Sequence, residues 1–439
     1  MPTTRALFDR LVGTFAAATR GRTERRALRL AKLLRALISE RGESSGALMA
    51  RRSLALYSGL DEAGRRLFFE LLARDFSPNP VEVLAAAQAY HHEPSPSNLA
   101  QLQKVTEPPR QEVFRRMNMA PNGTAALVGL RKLLLEELPA HPQLASLDDD
   151  LVHLFGSWFN RGFLELRRID WGTPASVLEK LITYEAVHEI QGFPDLKRRL
   201  ERDRRCFAFF HPALPGEPLV FVEVAFVDEL PSSVAPILST ESVIADPRKA
   251  RCAVFYSITS CQPGLKGISF GNFLIKQVAQ DLHEELPNLR QFATLSPIPG
   301  FRAWLRRQPP NQGLAAAAPI RFAAQAEPAR APSEELRDPL EALAARYLVH
   351  QWDSGHVLDP VARFHLGNGA RLERINWLAD ASPKGLRQSL GMMVNYVYAL
   401  DEVERNHESY LNRHVVACSP GVERMVRQGD ELGRRLAGT

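Results

Sequence analysis

The sequence predicts an α+β protein in which an all-helical N-terminal domain precedes a mixed α/β domain. Apolar residues recur at every third or fourth position from about residue 24 to residue 160, which is the spacing of helical stripes. Strand-like apolar runs begin only after Ile169–Pro174, and they alternate with helix-like segments. The chain has 439 residues, 45% apolar and 24% charged, so it is long enough to bury a sizeable core. We therefore predict two domains, residues 1–159 and 160–439.

The N-terminal domain is predicted to consist of several helices. Leucines at three- and four-residue spacing mark two of them, Leu28–Leu37 and Leu127–Leu138. Proline-containing breaks separate the helices at Ser77–Pro80, Pro94–Pro96 and Pro108–Pro109. Pro80 and the segment Ser97–Leu99 are the predicted starts of the helices after the first two breaks. Because no cluster of titratable residues stands out here, we expect this domain to mediate self-association into a dimer or tetramer.

The C-terminal domain is predicted to mix strands with helices. The expected strands are Cys206–Phe210, Leu219–Val227, Ala253–Thr259 and Phe292–Leu295, and the expected helices are Val177–Tyr184 and Phe273–Leu286. Residues 308–332 are rich in Pro, Ala and Gln, which predicts a mobile surface excursion that takes no part in the chemistry. Asp359–Pro360 indicates the N-cap and first turn of a further helix.

The composition argues against several classes of protein. The formal charge is +5, but the basic residues are scattered among Asp and Glu, so we expect no nucleic-acid partner. No run of about eighteen apolar residues occurs, which argues against a membrane span. The four cysteines form no Cys-x-x-Cys or Cys/His cluster, so neither a zinc site nor a disulfide framework is expected. The Arg-rich N-terminus resembles a mitochondrial presequence. The stretch that follows it is equally Arg-rich and is typical of an ordinary helix surface, so we expect a cytoplasmic protein.

The first candidate for a binding site is the segment Lys266–Asn272. It consists of Lys266, Gly267, Ile268, Ser269, Phe270, Gly271 and Asn272. Because it joins a strand-like run to a helix-like run, its backbone N–H groups and the helix N-terminus would offer donors and partial positive charge to a phosphate-rich ligand. The side chain of Lys266 would add a full charge.

This segment lacks the Gly-Lys-Ser/Thr of a P-loop and the Gly-x-Gly-x-x-Gly of a dinucleotide site. Its spacing resembles the acyl-CoA loop of acetyltransferase-like folds, Gln/Arg-x-x-Gly-x-Gly/Ala. Lys266 then stands at the first position, Ser269 at the first Gly and Gly271 at the second. A plain strand-to-helix turn would explain the same residues.

Several stretches are dense in residues that helices and strands do not require. They include His211–Pro218, Thr294–Phe301, Phe364–Ala370, Arg374–Asp380 and Gly391–Tyr398. In this order they resemble the malonyl-CoA decarboxylase family, and the resemblance covers most of residues 160–415. It implies a helical domain that self-associates and a catalytic domain of acetyltransferase-like (GNAT-like) fold that converts malonyl-CoA to acetyl-CoA and CO2.

The same resemblance implies a set of site residues. The loop Lys266–Asn272 would bind malonyl-CoA, Ser296 and His365 would be the paired catalytic residues, and Tyr398 would lie beside them. One departure concerns the loop, where animal members of the family have a Glu and this chain has Ser269. A role for an acid at this loop position therefore does not carry over to this chain.

Local sequence gives each catalytic candidate a second interpretation. Ser296 follows a strand whose counterpart in acetyltransferase-like folds diverges to admit the acyl arm, but Ser-Pro also starts turns. His365 lies near the C-terminal end of the helix that begins at Pro360, where the helix dipole favours the imidazolium that a proton donor needs. An ordinary helix-ending histidine would show the same bias. Tyr398 and Asn395 are three residues apart and are predicted to share one helix face, with core packing as the alternative for Tyr398.

The chemistry of the implied reaction suits these residue types. Loss of CO2 from a malonyl thioester leaves an enolate whose charge the thioester carbonyl accepts, so neither a metal nor an organic cofactor is expected. A Ser–His hydrolase is a rival, but Pro297 offers no N–H for an oxyanion hole after Ser296, and no Gly-x-Ser-x-Gly elbow occurs. An acyl-CoA-dependent acyltransferase and a non-catalytic acyl-CoA sensor stay open as alternatives.

Overall fold

The chain divides into two compact units in a computed structural model. The described residues are 4–39, 43–268, 274–308, 317–327 and 330–437. The first unit comprises residues 1–164, 211–215 and 262–270, and the second comprises residues 165–210, 216–261 and 271–439. The first unit therefore includes three short segments of the predicted second domain, residues 160–164, 211–215 and 262–270.

The first unit is helical, as predicted. Its α-helices are α1 (Thr4–Ser39), α2 (Glu43–Ser58), α3 (Glu62–Asp75), α4 (Pro80–His92), α5 (Pro96–Thr106), α6 (Pro109–Asn118), α7 (Gly123–Glu137) and α8 (Ala145–Trp158). Their apolar stripes meet in a core that includes Leu34, Phe68, Phe114, Leu134 and Phe155. Helix α4 begins at Pro80 as predicted, whereas α5 begins at Pro96, one residue before the predicted segment, because Ser95 caps it.

The second unit is built on a mixed sheet. Its strands are β1 (Glu165–Ile169), β2 (Arg204–Phe210), β3 (Pro218–Val227), β4 (Cys252–Ser260), β5 (Gln291–Thr294), β6 (Ser296–Pro297), β9 (Arg371–Asn376) and β10 (Met393–Val397), while β7 (Trp352–Asp353) and β8 (His356–Val357) form a separate pair. The order in the sheet is β1-β2-β3-β4-β5-β10-β6, and β9 also pairs with β10. All four predicted strands are confirmed, each with at least one end shifted by one or two residues.

Helices cover this sheet and connect its strands. They are α9 (Ala175–Tyr184), α10 (Phe193–Arg199), α11 (Ala235–Leu238), α12 (Leu274–Glu285), α13 (Phe301–Arg307), α14 (Ala317–Gln325), α15 (Arg337–His350), α16 (Pro360–Gly367), α17 (Pro383–Ser389), α18 (Val403–Arg413) and α19 (Pro420–Ala437). Among the residues that the structure describes, no helix is both long and apolar enough to cross a lipid bilayer. The predicted α+β fold class is confirmed.

Strands β4 and β5 separate in the middle of the sheet. They pair in parallel up to Phe255 and Thr294, and the last bond runs from the Leu295 N–H to the Phe255 carbonyl at 3.1 Å. Beyond that point β4 continues to Ser260, whereas Ser296 pairs with Val394 of β10. This is the strand divergence that the resemblance to acetyltransferase-like folds implies.

One local prediction is wrong, and one segment contains a helix that was not predicted. Residues 393–397 form strand β10, because this Val- and Tyr-containing segment is paired on one side with β9 and on the other with β5 and β6. Asn395 lies within this strand and Tyr398 follows its end, so the two residues do not share a helix face. The described part of the predicted surface excursion contains helix α14, which buries Ile320 and Ala324 and whose last turn accepts a hydrogen bond from Arg306.

Candidate active site

The structure brings the three predicted catalytic residues into one hydrogen-bonded chain. The Oγ atom of Ser296 lies 3.0 Å from Nε2 of His365, and Nδ1 of His365 lies 2.8 Å from the Oη atom of Tyr398. The residues come from β6, from α16 and from the position directly after β10, so a tertiary fold is needed to assemble them. Their exposed fractions are only 5%, 3% and 2%. A hydroxyl, an imidazole and a phenol therefore meet in a site that excludes most water.

Strand pairing fixes the position of Ser296. Its backbone pairs with Val394, and its hydroxyl donates to the Oγ1 atom of Thr294 at 2.9 Å. Thr294 is fully buried, and its Oγ1 atom also accepts the Tyr396 N–H at 3.3 Å. The side chain of Ser296 is thus held between Thr294 and His365.

A buried carboxylate fixes the helix that carries His365. Asp359 caps α16 as predicted, and its Oδ1 atom accepts the N–H groups of Val361 and Ala362 at 3.0 Å each. Its Oδ2 atom accepts the N–H of Gly300, which follows the Ser296 strand, at 3.2 Å. One carboxylate therefore joins the start of the His365 helix to the segment after Ser296.

Gly300 is the residue type that this arrangement requires. A Cβ atom at position 300 would lie 2.1 Å from the Oη atom of Tyr347, whose hydroxyl is directed at Asp359 at 3.5 Å. Such a contact is shorter than any van der Waals separation, so a side chain at position 300 would displace Tyr347 or the carboxylate.

Burial keeps His365 neutral, and the predicted imidazolium is wrong. Desolvation lowers the pKa of His365 from 6.5 to about 3. A shift of this size corresponds to about 5 kcal/mol against the charged form, whereas a helix C-terminus favours it by roughly 0.3–1 kcal/mol. The ring also stacks on the buried Tyr396 ring, with the centroids 4.7 Å apart. Burial likewise raises the pKa of Tyr398, so the phenol is protonated in the resting site.

The predicted binding loop lies only partly within the described residues. Lys266, Gly267 and Ile268 are described, whereas Ser269, Phe270, Gly271 and Asn272 lie outside the described residues. Gly267 has a φ of 78°, a backbone conformation that favours glycine. Lys266 is exposed, so its ammonium group is available to a ligand.

The base of this loop is anchored on helix α7 of the first unit. Buried Arg131 donates to the carbonyl oxygens of Gly264 and Lys266 at 2.9 and 2.8 Å, and Asp148 holds its guanidinium at 2.6 Å. A Cβ atom on Gly264 would lie 2.0 Å from the carbonyl oxygen of Val128, so the turn is in direct backbone contact with α7. These bonds occupy carbonyl groups and leave Lys266 itself exposed.

Sequence reasoning missed two residues that shape these sites. Thr294 lies two residues before Ser296, and strand periodicity could have placed both side chains on one face. Arg131 stands in an ordinary helical stripe far from the loop in sequence, so no local pattern distinguishes it. Among the side chains that the structure describes, no group of three or more His, Cys, Asp and Glu residues is arranged to hold a metal ion.

The hydroxyl, imidazole and phenol that meet on this fold are the groups that an acid–base enzyme uses. The family model for the malonyl-CoA decarboxylase N-terminal domain matches residues 76–159, and the model for the C-terminal domain matches residues 162–434. The chain belongs to the malonyl-CoA decarboxylase family. The family and its carboxy-lyase class, both predicted from the motifs, are confirmed.

Relatives and solved structures agree with this assignment. The chain is 35% identical to the mitochondrial malonyl-CoA decarboxylase of Anser anser anser over 412 residues, covering 85% of this chain and 82% of the relative. It is 34% identical to the mitochondrial malonyl-CoA decarboxylase of Rattus norvegicus over 420 residues, which cover 85% of this chain and 84% of the relative. The crystal structure of malonyl-CoA decarboxylase from Rhodopseudomonas palustris is similar with a TM-score of 0.85 at 47% identity, over 91% of this chain and 99% of that one. The crystal structure of malonyl-CoA decarboxylase from Agrobacterium vitis is similar with a TM-score of 0.83 at 46% sequence identity. The match covers 90% of this chain and 99% of that one.

Proposed function

We propose that the protein decarboxylates malonyl-CoA to acetyl-CoA and CO2, and that Ser296, His365 and Tyr398 perform the chemistry without a cofactor. The observation that carries this proposal is the buried hydrogen-bonded chain from Tyr398 through His365 to Ser296. Membership of the family supplies the substrate class. The chain of three residues supplies the groups that such a substrate needs.

The substrate accepts its own electrons in this reaction. The bond between the α-carbon and the carboxylate breaks, its electron pair enters the thioester as an enolate, and the α-carbon then takes up one proton. The enzyme has to stabilise the enolate oxygen and supply that proton in a site from which water is excluded. The hydroxyl of Ser296 and the neutral imidazole of His365 suit both tasks because each is a buried donor.

The loop Lys266–Asn272 is proposed to bind the phosphates of CoA. Support comes from the exposed ammonium group of Lys266, from the anchoring of the loop base by Arg131 and from the helix α12 that begins at Leu274. With Ser269 in place of an acid, the loop contributes phosphate recognition and no carboxylate.

The hydrolase alternative is disfavoured by the direction of one hydrogen bond. A serine nucleophile has to donate its proton to the histidine, but the Ser296 hydroxyl donates to Thr294. Pro297 also supplies no N–H for an oxyanion hole. An acyl-CoA-dependent acyltransferase and a non-catalytic acyl-CoA sensor remain the alternatives to be tested.

Incubation of the purified protein with malonyl-CoA alone tests the proposed reaction. We expect equal amounts of CO2 and acetyl-CoA, with the same rate after exhaustive treatment with EDTA. Free malonate would establish a hydrolase, and an unchanged thioester would leave the acyltransferase or the sensor. Loss of activity with EDTA that added metal restores would contradict the cofactor-free mechanism.

The helical domain, residues 1–159, is proposed to assemble the protein into a dimer or tetramer. Support comes from helices α4 and α5, which pack mainly on each other and leave Val81 and Leu84 75% and 60% exposed. Sedimentation velocity of the wild type and of a Val81→Glu/Leu84→Glu variant tests this, since two buried charges would weaken an apolar interface. We expect an oligomer that the double variant dissociates, and a monomeric wild type at all concentrations would contradict the proposal. The cytoplasmic location stays a prediction.

A further inference from the structure

We propose that Thr294 is a positioning residue that fixes the direction of the hydrogen bonds in the catalytic chain. It accepts the Ser296 proton, so His365 is obliged to donate to Ser296 and cannot act as its base. This inference deepens the proposed function and rests on it, since the chain acquires chemical meaning only if Ser296 and His365 are the reacting groups. Thr294 itself acts through Ser296.

Thr294 is held as a fixed acceptor. Its side chain is fully buried on β5, and its Oγ1 atom lies 2.9 Å from the Ser296 Oγ atom, which donates to it. The same Oγ1 atom accepts the backbone N–H of Tyr396 at 3.3 Å, and the Thr294 carbonyl accepts the Asn395 side-chain amide at 2.8 Å. Because a threonine in a strand has a restricted χ1 angle, these contacts leave Oγ1 with one orientation.

The direction of the remaining bonds follows from counting protons. A serine hydroxyl has one hydrogen, and at Ser296 it is given to Thr294, so the 3.0 Å contact with His365 requires Nε2 to be the donor. The imidazole is neutral and carries one N–H, which leaves Nδ1 as an acceptor. The 2.8 Å contact with Tyr398 is then a bond donated by the phenol. In this series of hydrogen bonds Tyr398 donates to His365, His365 donates to Ser296, and Ser296 donates to Thr294.

This direction is the one that protonation of an enolate needs. When the Ser296 hydroxyl turns from Thr294 to the α-carbon and gives up its proton, Nε2 of His365 replaces that proton and Nδ1 takes the proton of Tyr398. A proton from water then restores the phenol, so one proton enters for each CO2 that leaves. In the opposite direction His365 would take the Ser296 proton and create an alkoxide, which is the first step of thioester hydrolysis. Thr294 thus favours proton delivery over nucleophilic attack.

Two substitutions at position 294 separate the acceptor from the volume it occupies. Thr294→Val keeps the shape and removes the Oγ1 acceptor, whereas Thr294→Ser keeps the acceptor and is the matched control. In the valine variant the Ser296 hydroxyl is free to donate to His365. We expect kcat to fall about tenfold or more, since the loss of one oriented hydrogen bond has that effect, while KM for malonyl-CoA stays within about twofold. The serine variant should keep wild-type kcat within about threefold.

The histidine tautomer provides a readout that a purely structural role would not change. In protein labelled with ¹⁵N-histidine, the His365 signals are assigned by their loss in His365→Asn, and protonated and unprotonated ring nitrogens differ strongly in ¹⁵N shift. We expect Nε2 to be protonated in the wild type and in Thr294→Ser, and Nδ1 to be protonated in at least part of the Thr294→Val population. Thr294→Ala, which is smaller and imposes no strain, should show the same change if the valine variant does not fold.

The outcomes distinguish this inference from the proposed function. A valine or alanine variant with wild-type kcat and a protonated Nε2 would overturn the role of Thr294, although the wild type decarboxylates malonyl-CoA. A wild type that makes no acetyl-CoA but keeps the Nε2 tautomer would overturn the proposed function instead.

Discussion

Replacement of His365 by asparagine should make the protein less sensitive to acid. The unfolded chain protonates this histidine near pH 6.5, whereas burial lowers its pKa in the folded protein to about 3. Between these values the unfolded state binds more protons, so stability is fully present above pH 6.5 and is lost as the pH falls towards 3. Each pH unit in this window costs about 1.4 kcal/mol, which amounts to about 2 kcal/mol at pH 5. His365→Asn removes this loss.

Urea unfolding at pH 7, 6 and 5 measures the effect. The lost packing and hydrogen bonds will lower the unfolding free energy of the variant by the same amount at every pH. The informative quantity is therefore the change in unfolding free energy between pH 7 and pH 5. We expect that change to be about 2 kcal/mol smaller in His365→Asn than in the wild type. His188, whose pKa burial lowers to about 4, contributes equally to both proteins. His92→Asn on the surface of α4 is the control and should follow the wild type. Parallel pH dependence in His365→Asn and the wild type would refute the buried neutral imidazole.

Three further predictions concern catalysis and the supports of the site. Arg131→Met should raise KM for malonyl-CoA about tenfold in steady-state kinetics with a smaller change in kcat, because the loop base loses two donors; an unchanged KM would contradict the anchoring role. Asp359→Asn should lower the unfolding free energy by about 1–2 kcal/mol and reduce kcat, because an amide cannot accept all of the hydrogen bonds that the carboxylate accepts. Wild-type stability and kcat together would show that the cap is dispensable. The kcat of the wild type should show no decline centred near pH 6.5, since His365 stays neutral there; a decline at that pH would mean that an ordinary histidine titrates in the reaction.

Local patterns in the sequence predicted most of the fold. The helical stripes of the first unit and the four apolar strands of the second were recognisable because each element buries one face or both. Strand β10 was mistaken for a helix because a spacing of three between Asn395 and Tyr398 suits a helix, and only the pairing with β9, β5 and β6 decides otherwise. Helix α14 was missed because its alanine-rich sequence resembles a loop until the burial of Ile320 is known.

The candidate site was predictable in its residues but not in its electrostatics. Motifs singled out Ser296, His365 and Tyr398, and the structure places them in one chain of hydrogen bonds. The charge of His365 was predicted wrongly because the helix terminus is visible in the sequence and the degree of burial is not. The role of Thr294 depends on the direction of a single hydroxyl bond, which only three-dimensional geometry provides.

The central claim is that the chain converts malonyl-CoA into acetyl-CoA by protonating an enolate. Single-turnover reaction of the purified, EDTA-treated protein with malonyl-CoA in D2O, followed by mass spectrometry of the thioester, tests it most directly. We expect CO2 and acetyl-CoA in equal amounts, with one solvent deuterium in the methyl group and with the reaction abolished in His365→Asn. Free CoA with malonate, or undiminished turnover in His365→Asn, would contradict the account.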